Sequence, residues 1–356
     1  MTMDATNNDK PTADDAPTTT TNNNTGVLDL SFKNLNHKDL KRILTKLGAS
    51  GRDDRPRKCR RLNELQLQIA QFSSSSSTTT KLRKLCFAGN TAIGDEGMKH
   101  LHLIPSSVCD LDFTDCNLTC EGIKTLCEFL ERNKSITRMV LGGNGMNDEA
   151  AKAVGKMLSE NDTLQDLCIN PRPCVVEDGT TAASSSGSSN SPPDVTWIAA
   201  IKVCMGLYRN RTLRHLRFAV PNFSMTDEGI WYLMFAKMLH EDSPIETLEC
   251  GNPSTTAADA NVPTFLRPLL ETVCDKWLEK LEKNKNIHTI GGSLLKLLKP
   301  EDIQYYLDLN KCQARQIIRD PNVSSEEWLR SITCASEEHK LDAIYYLIRN
   351  KPEVCK

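Results

Sequence analysis

The stretch Val108-Cys-Asp-Leu-Asp-Phe-Thr-Asp-Cys116 is matched by Ile136-Thr-Arg-Met-Val-Leu-Gly-Gly-Asn144, which starts 28 residues later, and a further copy opens 28 residues beyond that at Leu164. Each copy sets apolar side chains at positions one, four and six, and the first two end on Cys or Asn at nine. Leu82-Arg-Lys-Leu-Cys-Phe-Ala-Gly-Asn90 follows the same frame. Apolar residues alternating at four and six mark a strand with one buried face. A fixed period of this length means a repeated supersecondary unit.

The residues after each strand repeat as well. Ile93-Gly-Asp-Glu-Gly97, Leu118-Thr-Cys-Glu-Gly122, Met146-Asn-Asp-Glu-Ala150 and Met225-Thr-Asp-Glu-Gly229 read as helix starts. Thr119, Asn147 and Thr226 are N-cap residue types, and Glu121, Glu149 and Glu228 fall where a helix dipole favours negative charge. Ile123, Leu126, Cys127 and Leu130 then form one helical stripe, and Ala150, Val154, Met157 and Leu158 another. The unit is therefore strand, turn, helix, turn.

Weaker copies flank the regular ones. Leu28 and Leu30 open an early strand, with a helix over 39–47. Leu62, Leu65 and Leu67 give a second, Leu213, Leu216 and Phe218 another, and Ile245, Leu248 and Cys250 the next. Ile287 and Ile290 mark the last, for about nine repeats in all. Position nine holds Lys33, Ala70, Arg172, Pro221 or Pro253 in these copies, so an unbroken Asn ladder is not expected and the solenoid should be distorted.

The unit resembles the leucine-rich repeat of the ribonuclease-inhibitor type, with its strand motif LxxLxLxxN/CxL. That resemblance implies an α/β horseshoe with a parallel sheet on the concave side and helices outside. It implies that Asn90, Cys116 and Asn144 hydrogen-bond the turn backbone. It also implies a role in protein–protein interaction.

Composition divides the chain into three parts. Residues 1–24 have no hydrophobic periodicity and are predicted to be disordered. Residues 25–295 form the solenoid, interrupted by Ser/Thr-rich insertions at 73–80 and 177–194, after which a helix starts near Val195 and carries Trp197, Ile198, Ile201 and Cys204. Residues 296–356 are predicted to be a helical cap, since an open stack exposes its last apolar layer. Pro300 suits a first helical position. Ser324 to Glu327 reads as a capping box, and Ser336 as the cap of a final helix buried through Leu341, Ile344, Tyr345 and Ile348.

The 44 basic and 46 acidic residues nearly cancel, which argues against nucleic-acid binding. No run has the length and apolarity of a membrane span, and the acidic N-terminus does not read as a signal peptide. The expected location is the cytoplasm, with the 14 cysteines as reduced, mostly buried thiols. The basic run Arg52 to Arg61 reads as a solvated rim loop, with a nuclear-import signal as the alternative. Phosphate-binding and metalloprotease motifs do not occur, so no enzyme activity, cofactor or metal is expected. His100, His102, Cys109, Cys116 and Cys120 come nearest to a metal set, but repeat positions already explain Cys116 and Cys120. Cys86 and Cys168 face the concave side with no evident basic partner.

Positions three, five, seven and eight of the frame face the concave side. They give the candidate partner-binding residues Asp110, Asp112, Asp115, Arg138, Asp166, His215, Arg217 and Glu249. Asp29, Glu64, Gln66, Lys84, Asn170 and Thr247 share that face, on which acids dominate the middle. The expectation is a monomer that binds a protein there through polar contacts. Regulation of an enzyme, as an inhibitor or a GTPase activator, is the alternative.

Overall fold

The computed structural model describes residues 26–48, 81–169, 197–218, 225–251, 267–298, 300–319, 322–337 and 340–350. The N-terminal tail, both Ser/Thr-rich insertions, the basic run and the copy at Leu62 lie outside these residues.

Eight parallel strands lie side by side in chain order. They are β1 (Val27–Asp29), β2 (Lys84–Cys86), β3 (Asp110–Asp112), β4 (Arg138–Val140), β5 (Asp166–Ile169), β6 (His215–Phe218), β7 (Thr247–Cys250) and β8 (Thr289–Gly291). The helices between them are α1 (His37–Gly48), α2 (Gly94–Met98), α3 (Cys120–Arg132), α4 (Asp148–Glu160), α5 (Trp197–Arg209), α6 (Met225–Met238) and α7 (Arg267–Lys283). After β8 come α8 (Gly292–Leu297), α9 (Pro300–Lys311), α10 (Ala314–Arg319), α11 (Ser325–Glu337) and α12 (Leu341–Asn350).

Register follows directly from the repeat. Position four places Leu28, Leu85, Leu111, Met139, Leu167, Leu216, Leu248 and Ile290 on one continuous rung across the sheet. All are buried. Position six forms a second rung, where the Phe87 and Phe113 rings stack at 5.3 Å. Full burial of each such side chain is worth about 1.5–3 kcal/mol, so a one-residue slip that exposed a rung would be prohibitive.

β1 pairs directly with β2, matching Leu28 with Leu85. Among the described residues the stack has eight strands.

Two polar ladders close the turns. On the βα side, Asn90 Oδ1 accepts from the N–H groups of Lys33 and Leu35 while its amide donates to the carbonyls of Leu30 and Phe87. Asn144 does the same for Cys116 and Leu118, donating to Phe113 and Leu141. Between them the Cys116 thiol donates to Phe87 O at 3.2 Å. The position-nine residues thus bond the turn backbone as the resemblance implied.

The second ladder lies on the αβ side. Asn133, Asn161, Asn210 and Asn284 each follow a helix, and each carboxamide oxygen accepts two N–H groups at the next strand entry. The amides of the last three donate back to carbonyls of the preceding repeat, Leu130, Leu158 and Glu241. Each bridge satisfies helix-end and turn groups that would otherwise be buried unpaired.

Thr119 and Asn147 cap α3 and α4 as expected. Thr226, expected to precede α6, is instead its second residue, since the helix begins at Met225. α1 begins two residues earlier than the sequence suggested, because Asn36 Oδ1 accepts from Lys38 and Asp39.

The C-terminal helices share one core and build another. Ile303 and Leu307 of α9 join the solenoid core. Leu309, Cys312, Ala314, Ile317, Trp328, Ala335, Ala343 and Leu347 form a separate cluster. Ser324 and Glu327 make the reciprocal capping box at α11. Ser336 lies inside α11 and caps nothing. The final helix is also rotated from expectation: Ala343 and Leu347 are buried, whereas Leu341 and Tyr345 are 76% and 66% exposed. Ala343 and Leu347 share their apolar cluster with the small, buried Ala335 of α11.

Candidate protein interface

The pleat that buries Leu28 through Ile290 sends positions three and five to the other face. Position three forms the row Val27, Lys84, Asp110, Arg138, Asp166, His215, Thr247 and Thr289. Position five forms the row Asp29, Cys86, Asp112, Val140, Cys168, Arg217, Glu249 and Gly291. Neighbours within a row are one strand apart, about 4.8 Å.

That spacing pairs charges across strands. Lys84 Nζ lies 3.5 Å from Asp110 Oδ2, and Arg138 Nε lies 3.4 Å from Asp166 Oδ2. Arg217 grips Glu249 with two bonds, Nε to Oε2 and Nη2 to Oε1, the second at 3.0 Å. The hydrogen bonds from Arg217 hold the Glu249 carboxyl below the usual carboxylate range, and those with Glu249 raise Arg217 in turn. These side chains remain open to solvent, with 58% of Arg217 exposed, so the pair contributes at most about 1 kcal/mol to folding. It is preformed and available.

Arg138, Asp166, His215, Arg217 and Glu249 line one depression of about 210 Å³, with Cys168 and Thr247 among them. Five of the eight predicted residues therefore come together. Asp110 and Asp112 stand to one side on β3, flanked across strands by Lys84 and Cys86. Asp112 accepts from Thr114 N–H and lies 3.5 Å from the Cys86 thiol. Asp115 is not on the strand: it sits in the turn after β3 with φ of 54°, its N–H donating to Gly142 O.

Cys168 does have a basic neighbour, which sequence reasoning missed. Arg217 faces it from the next strand. Burial raises the thiol more than this guanidinium lowers it, so it is not an activated nucleophile. Burial likewise lifts the Cys86 thiol against the hydrogen bond with Ser31. Burial pushes the Cys116 thiol up to about 12. Among the described residues no three His, Cys, Asp or Glu side chains converge as metal ligands.

One residue of this surface was passed over entirely. Phe32, at position eight of the first repeat, is 74% exposed. Its sequence signal is its place: the same position holds Gly89, Asp115 and Gly143, all with positive φ.

A family model described as leucine rich repeat matches residues 79–101, the stretch containing β2 and α2. A chain of the crystal structure of the Rad7 and Elc1 complex in yeast is similar at 12% identity with a TM-score of 0.39, over 87% of this chain and 68% of that one. No curated protein matches the chain. The fold is a leucine-rich-repeat solenoid, α/β in class, with an eight-stranded parallel sheet. Among the described residues no helix is long and apolar enough to cross a membrane.

Proposed function

We propose that this chain is a non-catalytic, cytoplasmic protein–protein interaction module of the ribonuclease-inhibitor-like type, monomeric by itself, that binds a partner protein on its concave sheet face. One observation carries the reading: two in-register rows of largely polar side chains cross the whole sheet, fixed by a backbone whose turns are locked on both sides. A fixed array of alternating charge offers many contacts of set geometry. That arrangement favours orientation and specificity over hydrophobic affinity. The thiols within it are protonated at neutral pH, and its carboxylates are paired with cations or bound by backbone and hydroxyl donors, which suits recognition better than proton transfer.

The test is in-cell cross-linking of the full chain, comparing Arg217→Glu and Asp166→Arg with the helix-face variant Lys152→Glu. Loss of the same partner from both sheet variants, with retention by Lys152→Glu, supports the interface. A partner lost only from Lys152→Glu places the binding surface on the helices instead.

A further inference from the structure

The sheet face is electrostatically divided. From β4 onward, Arg138 faces Asp166 and Arg217 faces Glu249, one cation for each acid. From β1 to β3 the same face and its turns carry Asp29, Asp110, Asp112 and Asp115 against Lys84 on β2 and the exposed Lys33 in the turn after β1. Burial would raise the Asp29 carboxyl, but hydrogen bonds from the Ser31 hydroxyl and N–H outweigh it and keep it ionised.

Phe32 stands at the edge of this acidic half. A Cβ added to Gly89 would lie 2.2 Å from Phe32 Cδ1 and Cε1, so the ring is seated over the space that this glycine leaves open. The turn beneath is fixed: Phe32 N–H donates to Ala88 O at 2.8 Å, and Asn90 holds the N–H groups of Lys33 and Leu35. The residue pays twice for its position. An aromatic L-residue is held at φ of 54°, where this turn elsewhere uses Gly or Asp, and three-quarters of its surface faces water. The ring packs on Gly89 with one side and leaves the rest to solvent. A rigid, pre-placed aromatic on a surface rich in carboxylates is the composition of an interface anchor.

We infer that Phe32 and the acid-rich end of the sheet form the anchoring part of the interface, and that they take a basic polypeptide segment of the partner. An arginine or lysine of that segment pairs with Asp29 or Asp112 and lays its stem or cation over the Phe32 ring. Nucleic acid is disfavoured here, because the same carboxylates repel phosphate. The inference rests on the reading of the sheet face as a protein interface and locates its anchor.

Photo-cross-linking of the full chain in cells tests it, with benzoylphenylalanine placed at 32 or, separately, at 217. Cross-links from 32 are expected to map to a partner segment richer in Lys and Arg than in Asp and Glu. A synthetic peptide of that segment should bind the purified chain, with affinity at least tenfold weaker for Asp29→Lys/Asp112→Lys and for Phe32→Gly. Phe32→Gly should at the same time raise the melting temperature, since glycine relaxes the left-handed turn. Cross-links from 217 with none from 32, or an acidic or neutral segment at 32, overturn the anchor and leave the interface reading intact. A Phe32→Gly chain that melts lower and binds the peptide as well as before makes Phe32 structural, which also overturns it. Absence of cross-links from both positions defeats the interface reading and the anchor with it.

Discussion

Helices α4 and α5 meet backbone to backbone at Gly155 and Gly206: a Cβ on Gly206 would stand 2.1 Å from the carbonyl oxygen of Gly155. The reverse contact is as close, since a Cβ on Gly155 would lie 2.3 Å from Lys202 O. The atoms in the way are main chain, so no side-chain rotation relieves the clash.

Gly206→Ala therefore sets two effects against each other. Alanine gains about 1 kcal/mol of helix propensity over glycine. Forcing a methyl group against a packed backbone costs about 1–3 kcal/mol or more, since the helices must separate. The second effect is expected to win, lowering the urea midpoint of the full chain. A raised midpoint would show that the two helices have room to spare.

The αβ ladder predicts an ordering among its members. Asn161 is buried and bonds Leu130 O, Thr163 N and Leu164 N. Asn161→Ala leaves the N–H groups of Thr163 and Leu164 without this acceptor, at about 1–3 kcal/mol each where water cannot enter, while Leu130 O keeps the Asn133 N–H. Asn133 is half-buried and its carboxamide oxygen serves Ser135 and Ile136. Water can replace it there, so Asn133→Ala should cost less than half as much in equilibrium unfolding. Equal losses at the two positions would contradict the bridging role of the Asn161 amide.

The contrast between these residues also shows what the sequence could disclose. Strand and helix positions were readable because period and apolar spacing are local properties of the chain. The αβ ladder was present as Asn133, Asn161, Asn210 and Asn284, each three residues before the first apolar residue of a strand, yet an isolated Asn in a turn has many ordinary explanations. Pairing was harder still. Arg217 and Glu249 are 32 residues apart in sequence, and only the strand register makes them neighbours. The final helix was misread because α12 carries two apolar arcs, Leu341 with Tyr345 and Ala343 with Leu347. Which arc is buried depends on residues of other helices, among them Ala335, that share the cluster with Ala343 and Leu347. Phe32 was visible in the frame, but its exposure follows from a turn geometry that the apolar pattern does not encode.

Buried thiols give the chain an alkaline limit. Burial pushes Cys116 and Cys204 from the ordinary thiol value of 9.0 up to about 12. Above pH 9.0 the unfolded chain releases these protons while the folded chain keeps them, so the folded state binds more protons and stability falls as pH rises. The contribution is complete below pH 9.0 and is lost progressively towards pH 12. Each thiol adds a slope of about 1.4 kcal/mol per pH unit at most within that window. Cys204→Ala should be less stable at neutral pH, because it leaves a small cavity, yet show a shallower decline from pH 9 to 10.5 in thermal melts. An unchanged slope would assign the alkaline loss to other groups.

A buried cation helps to tie the C-terminal helices to the solenoid, beside the apolar contacts of Ile303 and Leu307 and the Asn310 amide bonds to Asn284 O and Ile287 O. Arg315 of α10 is only 6% exposed, and its Nη1 donates to Leu281 O at 2.6 Å and Asn284 O at 3.0 Å, at the end of α7. Its guanidinium also lies 5.6 Å from the centre of the Tyr306 ring. Carbonyls at a helix C-terminus carry the negative end of the dipole, so a cation satisfies them in charge as well as in hydrogen bonding. Both bonds leave the one nitrogen, so what lysine loses is the planar, weakly hydrated guanidinium against the Tyr306 ring, replaced by a compact and strongly hydrated ammonium. Arg315→Lys should cost about 1–2 kcal/mol, and Arg315→Met about 2–4 kcal/mol through loss of the charge-assisted bonds to Leu281 O and Asn284 O, the second of which keeps the Asn310 amide as a donor. Because the cap has its own apolar cluster, the loss should appear first as earlier hydrogen exchange in 300–350 than in the β3 to β5 repeats. Uniform acceleration across both regions would mean that cap and solenoid unfold as one unit and that Arg315 is not a fastening point.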